Sequence, residues 1–133
     1  MAIQYQRKGD VALVTIENPP VNAISQKVRQ GLLDAVEFCE QDPEIKSVLL
    51  SCAGRTFVAG ADIKEFGKPA QEPLLPDVLL AIENSSKPWI ALIHGTALGG
   101  GLELAMVCHA RIAHTSAKLG LPEVKIRPIH FGR

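Results

Sequence analysis

The chain has 133 residues, of which 47% are hydrophobic and 21% charged, as is usual for a globular protein. Fourteen basic residues balance fourteen acidic ones, so overall electrostatics favour neither nucleic acid nor an anionic membrane surface as a partner. A chain of this length predicts one domain, residues 1–133, with a modest core.

The N-terminal third predicts a β-hairpin, a helix and a buried strand. Gly9 supplies the unusual φ that a tight hairpin turn often needs, and two prolines, Pro19 and Pro20, end the second strand. Ser25 then stands as an N-cap before apolar residues at helical spacing. The predicted elements are strands over 3–7 and 11–17, a helix over 26–41 and a strand over 47–51.

The remainder of the chain repeats a strand, a glycine-containing turn and a helix. Such alternation favours an α/β fold with mainly parallel, buried strands and right-handed crossovers. A proline-rich stretch predicts a loop before the second helix. The predicted elements are a loop over 67–76, a helix over 77–84, a strand over 89–94, a glycine-rich turn over 95–101 and a helix over 102–108.

Three cysteines, Cys39, Cys52 and Cys108, lie in apolar stretches without metal-ligand spacing, and we expect reduced core residues. The N-terminal segment is polar and does not resemble a secretion signal. No apolar run approaches the roughly 20 residues that span a bilayer. We therefore expect a cytoplasmic protein with no membrane association.

The glycine run at 99–101, which opens the predicted last helix, suggests a site for negative charge. Unpaired backbone N–H groups and the positive end of the helix dipole meet at such a turn. Glu103 follows one helical turn after Gly100, so a carboxylate would stand near any oxygen bound there. The same residues allow a second interpretation, in which the glycines permit close helix–strand packing and Glu103 faces solvent. The run has neither dinucleotide-binding nor P-loop spacing.

Three motifs, in this order and spacing, resemble the crotonase superfamily of enoyl-CoA hydratases and isomerases. They are Ala-Gly-Ala-Asp-Ile-Lys at 59–64, His-Gly-Thr-Ala-Leu-Gly-Gly-Gly-Leu-Glu-Leu-Ala at 94–105 and Leu-Gly-Leu-Pro-Glu-Val at 119–124. The resemblance extends from the first hairpin to about Val124, and residues 108–114 resemble especially the hydratase part of bifunctional hydratase/3-hydroxyacyl-CoA dehydrogenases. It implies a crotonase-like spiral of repeated strand-strand-helix units.

The resemblance also implies a reaction and its catalytic groups. The backbone N–H groups of Ala61 and Gly100 would form an oxyanion hole for a thioester carbonyl. Glu103 and Glu123 would be the two carboxylates that activate water and deliver a proton. The implied activity is hydration of a 2-enoyl-CoA thioester of the fatty-acid β-oxidation type, with isomerisation as a side activity. Taken alone, Glu123 equally suits a surface position after a proline turn.

Further residues match the segments with which the family binds CoA. The resemblance assigns Pro20 and Val21 to the adenine end, Ala59 to the same binding segment and Lys64 to the phosphates. The CoA thioester is then the substrate, and no cofactor or metal is expected. Asp62 is interpreted as the N-cap of a short helix through Phe66. The four histidines lack metal-ligand spacing and are expected to pack or to lie at the surface.

The chain departs from the family pattern after Val124. Family members continue with a glycine-rich loop and a helical C-terminal region, whereas this sequence ends at Arg133. We expect an α/β fold that is incomplete at its C-terminus, and exposed apolar faces that favour a homo-oligomer. The alternative to a working hydratase is a truncated, catalytically impaired module that binds acyl-CoA or serves in assembly.

Overall fold

The computed structural model describes residues 2–59, 65 and 67–120, together with the backbone of 127–128. Within this part of the chain, eight strands and three helices are present. In chain order they are β1 (Ile3–Lys8), β2 (Val11–Ile16), α1 (Gln26–Gln41), β3 (Ser47–Cys52), α2 (Leu75–Glu83), β4 (Trp89–Ile93), β5 (Thr96–Leu98), α3 (Gly100–Val107), β6 (Ala110–Ala113), β7 (Lys118–Gly120) and β8 (Arg127–Pro128).

The larger sheet has the strand order β1-β2-β3-β4-β6. Strands β1 and β2 form the predicted antiparallel hairpin, and every later neighbour in this sheet is parallel. The turn between β1 and β2 holds Gly9 at a φ of 60°, as the hairpin prediction requires. The predicted α/β class with mainly parallel strands is confirmed.

One hydrophobic cluster joins the strands to the helices. In β2, β3 and β4 every second residue is buried, because alternate side chains of a strand point to the same face. Trp89 and Phe57 are fully buried in this cluster. Helix α1 packs against β1, β2 and α2, and α2 packs in turn against α3.

Helix α1 has the predicted bounds. The Ser25 hydroxyl accepts a hydrogen bond from the Val28 N–H at 3.3 Å, as an N-cap does. At the other end the Asp42 N–H donates to the Cys39 carbonyl. The residues that α1 buries recur at helical spacing and are Val28, Arg29, Leu32, Ala35, Val36 and Cys39.

Two predictions in the second half of the chain are wrong in part. The predicted glycine-rich turn over 95–101 contains the short strand β5, which pairs in parallel with β7 in a separate three-stranded sheet. Helix α3 accordingly begins at Gly100 rather than Leu102. Helix α2 begins at Leu75, inside the stretch predicted as a loop, because Pro76 fits the first helical turn and Asp77 accepts from the Leu74 N–H at 3.0 Å.

Candidate active site

The start of α3 is fixed by backbone hydrogen bonds to two distant segments. The Leu98 N–H donates to the Val58 carbonyl at 2.9 Å, and the Gly99 N–H donates to the Gly120 carbonyl at 3.0 Å. Gly99 has a φ of 52°, a conformation that favours glycine, and turns the chain from β5 into the helix. The first turn closes with the Glu103 N–H donating to Gly99 at 3.0 Å.

Gly100 and Gly101 differ in what surrounds them. A Cβ atom built on Gly101 would lie 2.4 Å from the Val58 carbonyl oxygen, so this glycine is required for backbone packing. Among the described residues, a Cβ built on Gly100 would meet side-chain ends, Leu75 Cδ2 at 3.1 Å and Ile24 Cδ1 at 3.4 Å. The packing interpretation of the glycine run therefore applies to Gly101. Gly100 instead faces an apolar wall of half-buried side chains.

The first turn of α3 can stabilise negative charge. The N–H of Gly100 has no acceptor within its own helix, and none of the other described residues accepts from it. The aligned peptide dipoles of α3 place partial positive charge at the same point. Glu103 lies in this first turn, with its side chain exposed. An N–H donor and a solvent-accessible carboxylate thus share one turn of helix.

Three of the predicted CoA-binding residues come together near Val58. The Ala59 N–H donates to the Val21 carbonyl at 2.9 Å, which places the Pro20–Val21 turn against the segment 57–59. Pro20 lines a small cleft of about 110 Å³ together with Pro19 and Gly54. The structure therefore brings Pro20, Val21 and Ala59 close together in space.

Three predicted site residues, Ala61, Lys64 and Glu123, lie outside the described residues, as does Asp62. The segments that lead into them are nevertheless anchored at α3. Val58 and Gly120, the carbonyl partners of β5 and Gly99, precede Ala61 and Glu123 by three residues each. Both segments therefore start next to Gly100.

Asn22 organises this region and was not singled out from the sequence. It is 3% exposed, has a φ of 55°, and its side-chain NH₂ donates to the carbonyls of Ala53 at 2.8 Å and Thr56 at 2.9 Å. Its side-chain oxygen accepts from the Asn18 N–H at 2.8 Å. Asn tolerates this left-handed backbone conformation better than most residues, so an Asn in the turn after Pro20 is the sequence signal for such a position.

The described histidines and the cysteines have structural positions, whereas His130 lies outside the described residues. The Trp89 N–H donates to His109 Nδ1 at 2.9 Å, and a ring nitrogen of His94 lies 2.9 Å from the Gly54 carbonyl. The three cysteines are buried and unpaired with one another, as expected, and burial raises the pKa of Cys108 to about 12. Across residues 2–59, 65 and 67–120, we find no group of three or more potential ligands for a metal ion and no helix that could cross a membrane.

Comparison with known proteins identifies the family. The enoyl-CoA hydratase/isomerase family profile matches residues 6–130, and the chain belongs to this family. A peroxisomal bifunctional enzyme of Danio rerio is 50% identical, over 90% of this chain and 17% of its own length. A probable enoyl-CoA hydratase of Bacillus subtilis is 48% identical, over 87% of this chain and 48% of its own length.

Solved structures agree with the predicted crotonase-like fold. An enoyl-CoA hydratase/carnithine racemase from Magnetospirillum magneticum superposes with a TM-score of 0.82 at 35% identity, covering 96% of this chain and 53% of that one. An enoyl-CoA hydratase from Bacillus anthracis gives a TM-score of 0.83 at 30% identity, covering 92% and 51%. The chain thus spans about half the length of these structures.

Proposed function

We propose that this chain carries the oxyanion-binding part of an enoyl-CoA hydratase site and adds water across the double bond of a 2-enoyl-CoA thioester. One observation carries the proposal. No described residue accepts from the N–H of Gly100, and Glu103 follows in the same turn of helix. This turn is hydrogen bonded through β5 and Gly99 to the segments that lead into Ala61 and Glu123.

The chemistry of hydration suits this arrangement. Attack of water at C3 and protonation at C2 pass through enolate-like charge on the thioester oxygen, and the N–H groups of Gly100 and Ala61 would stabilise that charge. Glu103 and Glu123 would hold the water and transfer its proton, one as base and one as acid. Because backbone N–H groups would stabilise the charge and the two carboxylates would carry the protons, we infer that the reaction needs no cofactor and no metal. Double-bond isomerisation uses the same oxyanion hole and is expected as a side activity.

The CoA part of the substrate is assigned to the region around Ala59. The contact between Ala59 and Val21 and the cleft beside Pro20 support an adenine site there. Lys64 remains the proposed phosphate contact. A second cleft, of about 620 Å³, is lined by Lys27, Lys68 and Glu65. Because Glu65 is paired with Arg29, the two lysines favour phosphate nearby. The names of relatives in fatty-acid β-oxidation, such as the multifunctional protein of Oryza sativa, agree with a fatty acyl-CoA substrate.

The test is loss of crotonyl-CoA absorbance with the purified chain. Glu103→Gln keeps the shape of the side chain but removes its proton transfer, so turnover should fall on the order of 10²- to 10⁴-fold while ligand affinity changes little. Glu37→Gln, at an exposed position of α1, is the matched control. Hydration that survives unchanged in Glu103→Gln would remove this carboxylate from the mechanism.

A second candidate is an acyl-CoA-binding or assembly module without turnover. One observation favours it, the exposed side chain of Glu103. This module would bind butyryl-CoA in calorimetry but leave crotonyl-CoA unhydrated. A hydratase would bind butyryl-CoA and would also hydrate crotonyl-CoA.

Assembly and location are further proposals. We infer a homo-oligomer, since Leu80, Met106 and Ile112 are each more than half exposed, and apolar side chains of this size favour association. Sedimentation of the purified chain tests this inference.

We also place the protein in the cytoplasm, whereas several relatives are named as peroxisomal. Imaging of a tagged chain would distinguish the two compartments.

A further inference from the structure

Arg29 is a buried cation that joins three separate segments of the chain. It lies on α1 with 8% of its surface exposed. Its Nε donates to the Pro73 carbonyl at 2.7 Å, Nη1 to the Ile24 carbonyl at 2.9 Å and Nη2 to the Gln71 carbonyl at 3.1 Å. One planar guanidinium thus fixes the loop before α2 relative to the turn before α1.

The charge of Arg29 is balanced by Glu65. Glu65 Oε1 lies 3.2 Å from Nη2 of Arg29, and Glu65 Oε2 accepts from the Gln26 N–H at 2.7 Å. Gln26 is the first residue of α1, where a carboxylate is favourable because of the helix dipole. The Gln26 side chain also donates to the Glu72 carbonyl at 2.9 Å. This network holds residues 71–73 against α1 through several hydrogen bonds.

The segments that Arg29 fixes carry the side chains that face Gly100. Among the described residues, the side chains nearest to a Cβ position on Gly100 are those of Ile24, whose carbonyl Arg29 binds, and Leu75, two residues after Pro73. If a thioester oxygen accepts from the Gly100 N–H at about 2.9 Å, the acyl C2 lies within roughly 5 Å of that nitrogen. Because Leu75 and Ile24 approach the same residue, both side chains come within reach of the first carbons of the acyl group.

We propose that Arg29 is a positioning residue that sets the separation of Leu75 and Ile24 beside Gly100, and that this pair selects against acyl groups branched at C2. The inference rests on the proposed acyl-CoA site. Arginine suits the role because a rigid, planar group with five donors can hold several carbonyls at fixed angles. Lysine would keep the charge but would not hold the three carbonyls in the same geometry.

The experiment compares the binding of butyryl-CoA, 2-methylbutyryl-CoA and free CoA by calorimetry. The native chain should prefer the unbranched thioester. Arg29→Lys and Arg29→Met should lower that preference on the order of tenfold, the effect expected for one methyl group in an apolar pocket, and leave the affinity for free CoA unchanged. Leu75→Ala should reproduce the loss. Arg7→Lys, at an exposed arginine paired with Asp42, is the matched control.

Hydrogen exchange on the same samples reports the position of the loop directly. Amides of residues 71–75 should exchange faster in both Arg29 variants, while those of β2 and β3 should keep their protection. Should Arg29→Met fail to fold, Glu65→Gln weakens the same network without removing the arginine and should give a smaller loss of selectivity.

With the Arg29 variants, two results would overturn the inference. One is unchanged selectivity in Arg29→Lys with faster exchange at 71–75. The other is an equal weakening of all three ligands, which would indicate a purely structural role. A native chain that binds both thioesters without preference also refutes it, whereas a native chain that binds no CoA compound refutes the proposed function itself.

Discussion

Gly101 of α3 is in backbone contact with Val58. A Cβ built on Gly101 would lie 2.6 Å from the Val58 Cβ as well as 2.4 Å from its carbonyl oxygen, and neither atom belongs to a flexible chain end. The same Val58 carbonyl accepts the Leu98 N–H, so a shift there would disturb the connection between β5 and α3. The approach of helix to backbone at this point is as close as glycine allows.

Gly101→Ala should therefore lower the free energy of unfolding, by on the order of 1–3 kcal/mol, as overpacking in a rigid site does. The matched control is Gly100→Ala, where the nearest atoms are side-chain ends that can move and the helix gains propensity. Urea denaturation followed by fluorescence of the single tryptophan, Trp89, measures both variants. Equal stability of the two variants would contradict the packing described for Gly101.

Asn22→Ala should destabilise the protein on the order of 2–3 kcal/mol, because the partly buried carbonyls of Ala53 and Thr56 lose their donor. Asn22→Gly removes the same hydrogen bonds but tolerates the φ of 55°, so it should be more stable than Asn22→Ala by about 1 kcal/mol. Asn84→Ala, at an exposed position, is the control and should change little. If Asn22→Ala and Asn22→Gly unfold at the same urea concentration, backbone strain is not part of the effect.

Glu40 gives a pH-dependent contribution to stability. Hydrogen bonds from the hydroxyls of Ser85 and Ser86, at 2.6 and 2.7 Å, hold the pKa of Glu40 below its ordinary value near 4.5. A carboxyl with a lowered pKa in the folded state stabilises the fold above its unfolded pKa, and this stabilisation is lost as pH falls through the folded pKa. Glu40→Gln should thus be less stable than the native chain at pH 7.

The difference between Glu40→Gln and the native chain should stay below about 1 kcal/mol, since the carboxylate is exposed, and should shrink as pH falls below 4.5. Urea unfolding between pH 3 and pH 7 measures it, with Glu37→Gln on the same helix as control. A difference that grows toward low pH would contradict the assigned direction.

The three cysteines should resist alkylation while the protein is folded. Burial raises the pKa of Cys39, Cys52 and Cys108, and the thiolate is the reactive form. Iodoacetamide at pH 8 should label none of them readily in the native chain and all three in urea, as counted by mass spectrometry. Rapid labelling of one cysteine without denaturant would show that its element opens locally.

Local signals in the sequence determined how well each element was predicted. Helix α1 was predicted with correct bounds because its cap at Ser25 and its end at Asp42 are both encoded by neighbouring residues. The start of α2 was missed because proline, which usually breaks helices, is favourable in a first turn. Strand β5 was missed because its pairing with β7 depends on a segment some twenty residues away, and three residues carry no periodicity.

The candidate site was predicted as a set of motifs but not as a geometry. The motifs identified Gly100 and Glu103, and the structure shows that Gly100 and Gly101 have different surroundings. Asn22 and Arg29 were not predicted to matter, because their partners are backbone carbonyls far along the chain. Residue type does not indicate which distant carbonyl a side chain will bind. Sequence patterns reveal side-chain chemistry more readily than the placement of main-chain acceptors.

The hydrogen bonds of Leu98 and Gly99 also bear on the order in which parts of the protein fold during synthesis. On the ribosome, Val58 has emerged long before its partner Leu98, and the acceptor of Gly99 follows only when Gly120 has been synthesised. Since both contacts close long loops, the turn at Gly100 can reach its final shape only late in folding, after the parallel strands β2, β3 and β4 are available to support it. A nascent chain would therefore acquire its core before the turn at Gly100 is complete.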